Sequence, residues 1–250
     1  MKPWLKTGWV GLWLFGNLPF LTFAQQAPIN WSVVHCMQST SPEYVVFELD
    51  SWLPYHQQRV DNQEMVSWTL YGVLFGDRSP CDHVIIESFS DPSQVHKAYK
   101  GVAPGNDSEV NPMSEPEMIA NTFSARKMMS SALWKLTLSS GMSEHNYMFV
   151  NWVRSTNKKS FLELQKNFVL QAHQRLMEQG VGAGFALYEH AYPTGQNVMH
   201  DFISLDYLLD LQPLQWYGIP ELEDGKIRKQ LDDSRTVIKN MVLVRIGGTR

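Results

Sequence analysis

Tyr71, His83 and Glu87 stand close together in the chain, and Tyr188, His190, Tyr192, His200 and Asp206 form a second, richer group. Imidazoles titrate near neutrality and can take up a proton from a bound molecule, while phenols and carboxylates can orient it. Aromatic side chains with a few convergent polar groups are also what a small amphiphile needs in a cavity. We therefore take His190, His200 and Tyr188 as candidate catalytic groups, and Tyr71, His83, Glu87 and Tyr192 as candidate ligand contacts. His56 and His173 form a further pair on helices; His173, four residues after Val169 and three before Leu176, borders an apolar face. The competing reading is that these side chains hydrogen-bond one another and fill space.

Other chemistries lack their residues. HExxH, a close His pair and a cysteine cluster are absent, so no metal site is expected. There is no GxSxG nucleophile motif. The glycines at Gly180–Gly184 precede a strand pattern rather than opening a helix, which does not suit a dinucleotide.

The two groups sit in a repeat. LYGVLFGDRSPCDH (Leu70–His83) and LYEHAYPTGQNVMH (Leu187–His200) start and end alike, 117 residues apart and without a gap. At the same offset Val33 meets Val150, and His56-Gln57 meets His173-Gln174. Each half reads as strand, helix, strand, strand, helix, strand. In the first, SVVHCMQ precedes a helix from Ser41-Pro42 to about Val60, with a kink expected at Pro54. VSWTLYGVLF and CDHVIIESF form a hairpin, and a helix around Met118–Met129 leads into ALWKLTL. In the second, NYMFVNWVR leads to a helix capped by Ser160 and stopped at Gly180. GFALYEHAY and VMHDFISL pair across PTGQN, and NMVLVRI closes the half after a helix within LEDGKIRKQLDDSRTV.

A βαββαβ unit is the ferredoxin-like motif, and two in one chain resemble the dimeric α/β-barrel superfamily. The resemblance covers nearly all of the chain after its leader and implies an α+β fold. Two tandem ferredoxin-like repeats, at 31–140 and 145–250, would form an intrachain pseudo-dimeric barrel. Strand alternation then sends Leu70, Val84, Ile86, Leu187, Ile203 and Leu205 toward the helices. Tyr71, His83, Ile85 and Glu87 would point inward, with Tyr188, His190, Tyr192, His200, Phe202 and Ser204. The motif also pairs the end of the first strand with the start of the third, which brings Cys36 and Cys81 within reach of a disulfide, two buried thiols being the alternative. Some relatives carry haem, for which His200 or His173 could be the axial ligand; otherwise no cofactor is expected. A polar residue late in the first helix reaches the cavity mouth in several such families, which makes His56 and His173 further candidate ligand contacts.

Residues 1–24 read as a secretory signal peptide: Lys2 and Lys6, an apolar run, and Thr22-Phe23-Ala24 before Gln25. Its removal takes two of the 21 basic residues, leaving 19 against 25 acidic ones and a net charge of −6. Nucleic acid is therefore not an expected partner, and no later stretch is long and apolar enough to span a bilayer. The expectation is an exported (periplasmic or extracellular) protein that binds a small molecule, with oxygenase-like chemistry on an aromatic or lipid-like compound and no cofactor. A protein-association module with a filled barrel and a haem-binding variant are the alternatives.

Overall fold

A computed structural model describes residues 28–76, 80–100, 115–194, 198–211 and 225–249; the expected leader lies outside them. The chain opens with β1 (Trp31–Ser39), α1 (Tyr44–Phe47), a π turn (Glu48–Trp52) and α2 (Leu53–Asp61). It continues through β2 (Ser67–Gly76), β3 (His83–Phe89), α3 (Pro92–Lys100), α4 (Glu115–Ala125) and β4 (Arg126–Met142). Then come β5 (Tyr147–Ser155), α5 (Lys158–Leu164), a second π turn (Gln165–Val169) and α6 (Leu170–Glu178). The last elements are β6 (Gly184–Tyr192), β7 (Phe202–Leu208), α7 (Gly225–Ser234) and β8 (Arg235–Gly248).

The strands close into one antiparallel barrel in the order β1-β3-β2-β8-β5-β7-β6-β4. Closure leaves none of the eight as a free edge. Within the circle, β4-β1-β3-β2 and β8-β5-β7-β6 have the same relative order. Apolar residues collect in three places. Tyr71, Val84, Ile86, Trp134, Val150, Tyr188, Ile203, Leu205 and Tyr207 fill the barrel interior. Tyr44, Trp68, Leu70, Ile85 and Phe89 lie under the helices of one half, and Phe161, Phe185, Leu187 and Phe202 under those of the other. β7 is buried along its whole length and β3 at all but its first residue, because each is covered on both faces.

Several expected boundaries move. The first helix starts at Tyr44, since the Ser41 hydroxyl accepts from the Glu43 amide instead of capping a longer helix. Asn157, not Ser160, caps α5, its Oδ1 accepting from the Ser160 amide at 3.0 Å. Pro54 does not cause the break in the first helix, because the same π turn interrupts the second helix, where no proline follows. Met128 and Met129 belong to β4, and α3 was not anticipated.

Candidate functional site

Cross-strand pairing decides which side chains meet, and it divides the expected site residues. Tyr71 pairs with Val84 and Tyr188 with Ile203, all pointing into the barrel. Leu70 therefore pairs with Ile85 and Leu187 with Ser204, on the helix side. Both hairpins thus reverse the faces expected for their second strand. A slip of one residue exchanges the two faces, and turn length, which sets that register, is the feature the sequence specifies least.

The consequences for the candidates are direct. His83 faces the helices, its ring edge-on to Tyr44 at 4.9 Å and its Nδ1 2.8 Å from Asp82. Glu87 is buried on the helix side, 3.9 Å from Nε2 of His35. Phe202 and Ser204 also leave the interior. Tyr192 ends β6 at 65% exposure. Tyr71 and Tyr188 do face inward but pack in the barrel core and line no part of the cavity below. The Tyr71 hydroxyl donates to His145 Nε2 at 2.8 Å, while His145 Nδ1 donates to the Ser143 carbonyl at 3.1 Å. Burial raises the Tyr71 and Tyr188 hydroxyls above their ordinary pKa of 10.0, so both stay protonated near neutrality.

The interior is filled at its middle and hollow at one mouth. A cavity of about 700 Å³ opens there, lined by His35, Trp134, Trp152, His190, Met199, His200 and Lys239, with Cys36 and Cys81 in its wall. That volume is in the range of small-molecule sites. Cys36, on β1, and Cys81, just before β3, form a disulfide across a Cα–Cα distance of 5.3 Å. Trp134 of β4 stands opposite His190 of β6 in the sheet. Its indole meets His190 edge-on at 4.8 Å and stacks on His200 at 5.4 Å. The two imidazoles are 5.8 Å apart. His200 precedes β7 rather than lying in it, positioned between Met199, whose carbonyl accepts from Arg154, and Asp201, whose carboxylate accepts from the Ser155 amide and hydroxyl.

Burial keeps both imidazoles of the cavity unprotonated near neutrality. Burial pushes His200 down to about 4, helped by His190, and burial also lowers His190. Both rings are therefore neutral at pH 7. Trp134 is 1% exposed and its Nε1 has no hydrogen-bond partner. An indole N–H can only donate, so a guest oxygen in this cavity would satisfy it. Trp134 was missed in the sequence because an aromatic in ALWKLTL reads as ordinary strand packing.

No protein-family model matches this sequence, and no curated protein does. Solved structures do match. A candidate monooxygenase from Fusobacterium nucleatum superposes with a TM-score of 0.57 at 9% identity, over 89% of this chain and 94% of that one. A haem-binding protein from Thermus thermophilus gives 0.54 at 10% identity, over 89% and 95%. An anthrone oxidase-like protein gives 0.53 at 10% identity, over 88% and 93%. With the closed eight-stranded barrel, these decide the architecture. The fold is that of the dimeric α/β-barrel superfamily.

The histidines of the chain differ in how well they would suit a haem iron. His173 does not fit: Phe185 stacks on its ring at 4.6 Å and its Nε2 is 3.1 Å from Asp206. His56 lies between Trp52 and Trp68 beside a cavity of only about 150 Å³. His200 fits the donor chemistry, being neutral and at the 700 Å³ cavity; haem held there would supply iron-centred redox chemistry. Among the described residues, no group of three His, Cys, Asp or Glu is placed to hold a metal ion, and no helix is long and apolar enough to cross a membrane.

Proposed function

We propose that this is an exported barrel protein, built from tandem ferredoxin-like halves at 31–140 and 145–250, that binds an oxygen-bearing aromatic or lipid-like molecule at the barrel mouth and carries out oxygenase-like chemistry without a cofactor. One observation carries the reading: a ligand-sized cavity brings the unpartnered, buried Trp134 Nε1 together with two neutral imidazoles. Trp134 would donate to the guest oxygen, and His200, with His190 beside it, would accept the proton released as that oxygen becomes an anion. The likeness to an anthrone oxidase-like protein and a candidate monooxygenase supports the choice of chemistry.

The test is oxygen uptake with anthrone as the probe. The wild-type protein should consume oxygen faster than the uncatalysed background, and His200→Ala should lose roughly 10²-fold or more of that rate. Because a proton on His200 blocks acceptance, the free protein's activity should fall as pH drops through about 4 and stay level above it. Equal uptake by wild type and His200→Ala would refute the assignment. A second reading, haem at His200, is favoured by its neutral ring and by the haem-binding neighbour. It requires a Soret band on haem addition that His200→Ala abolishes.

A further inference from the structure

A second hollow lies outside the barrel, between α2 and the strands of the first half. It has about 150 Å³, and His35, Glu48, His56, Arg59, Glu87 and Arg126 give it a polar lining. A neighbouring hollow of about 210 Å³ shares Trp52, Arg126 and Met128 with it and is otherwise walled by Ile119, Thr122 and Phe123 of α4. Phe123 is 80% exposed and Met128 52%. The outer chamber is therefore mostly apolar and open, while the inner one mixes apolar walls with charged and imidazole groups. Among the described residues, His35 lines both the inner chamber and the barrel mouth.

The inner chamber has an unmet hydrogen-bonding group. His56 is 5% exposed, stacked between Trp52 at 5.6 Å and Trp68 at 5.2 Å, and its Nδ1 has no partner. Burial pushes it down to about 3, so it is neutral. Arg126 donates to Glu48 at 2.6 Å, and Arg59 and Glu87 line the same space, so acidic and basic groups already face one another there. A charged guest would bring a charge with no partner of its own, which is costly beside largely buried side chains. A hydroxyl both donates and accepts, so it can satisfy His56 Nδ1 in either tautomer. In the other half, by contrast, His173 already has Asp206 at 3.1 Å.

We propose that this two-chamber cleft binds a small uncharged amphiphile, with its hydroxyl head against His56 and its apolar part leaving past Trp52 between Ile119 and Phe123. The site shares His35 with the barrel mouth but does not depend on the activity proposed for that mouth.

The test uses 1-hexanol as the probe, with imidazole ¹H–¹⁵N spectra and calorimetry on the full chain. Saturable shifts of the His56 signals are expected. Ile119→Trp, which fills the outer chamber, should weaken binding roughly tenfold or more; the surface change Phe123→Ser should weaken it severalfold without disturbing the core. Hexanoate and hexylamine should bind roughly tenfold more weakly than hexanol. His200→Ala should leave hexanol affinity unchanged. Unmoved His56 signals would overturn the proposal, as would unaltered affinity in both α4 variants, equal binding of the charged analogues, or loss of binding in His200→Ala.

Discussion

The helix-covered faces of the two halves use the same positions for different ends. Tyr44 and Phe161 are buried at one place, Glu48 and Gln165 at the start of each π turn, and His56 and His173 on α2 and α6. Each histidine stacks on the aromatic of the next strand, Trp68 or Phe185, and an acid pairs across the hairpin with that aromatic: Glu87 or Asp206. In the second half the acid closes on the histidine and Gln165 brings no charge. In the first, Glu48 brings in Arg126, His35 approaches Glu87, and a hollow remains beside His56. The first half thus keeps a hollow beside its helix histidine, where the second closes an acid onto its own.

Copying the second half into the first should break the chamber. Glu48→Gln takes the carboxylate from the partly buried Arg126, and chemical denaturation should show a loss of roughly 3 kcal/mol; a loss under about 1 kcal/mol would mean the pair is as dispensable as a surface one. Next in size is the disulfide, whose Cys36 and Cys81 are 45 residues apart. Cys36→Ala with Cys81→Ala should cost about 2–4 kcal/mol, and hydrogen exchange should rise more in β1 and β3 than in β5 and β7.

A further effect is set by pH. His56 has its folded-state pKa depressed from 6.5 to about 3. The unfolded chain therefore binds the proton first, and stability falls as pH drops from about 6.5 toward 3, by about 1.4 kcal/mol per pH unit. Burial pushes Glu48 up from 4.5 to about 7 against the pull of Arg126, so it acts oppositely, losing stability as pH rises from about 4.5 to about 7. The readout is thus the difference between wild type and His56→Phe, which should grow in the variant's favour as pH falls from 6.5. The smallest change is Trp68→Phe, which mimics Phe185. It should cost about 1–2 kcal/mol and enlarge the hollow beside His56.

Much of this architecture was legible in the residues, and its failures have a common cause. Alternation and turn residues located the strands well, β6 to the residue, and the offset of 117 holds from Tyr44/Phe161 through Tyr71/Tyr188. It fails at the third strand of each half. Because Trp68 faces Glu87 while Phe185 faces Asp206, the offset there is 119. His83 sits opposite Gly72, whereas Phe202 sits opposite Glu189, so the His83/His200 match has no structural counterpart. The second hairpin is two residues longer, and a sequence comparison without gaps conceals that. Val33 and Val150 mislead in the same way: Val33 faces the helices and Val150 the interior. Of the proposed catalytic groups, His190 and His200 do share a cavity, while Tyr188 lies in the core. Their companion Trp134, on β4 of the first half, could be found only once closure of the barrel set it opposite His190.

The barrel mouth is the central claim, and the most direct measurement is untargeted mass spectrometry of small molecules co-purifying with the protein from its native host. The wild-type protein should carry an oxygen-bearing aromatic or lipid-like compound that is lost from a Trp134→Phe, His200→Ala variant, which lacks the donor and the base. The same compound retained by both proteins, or none in either, would contradict the account.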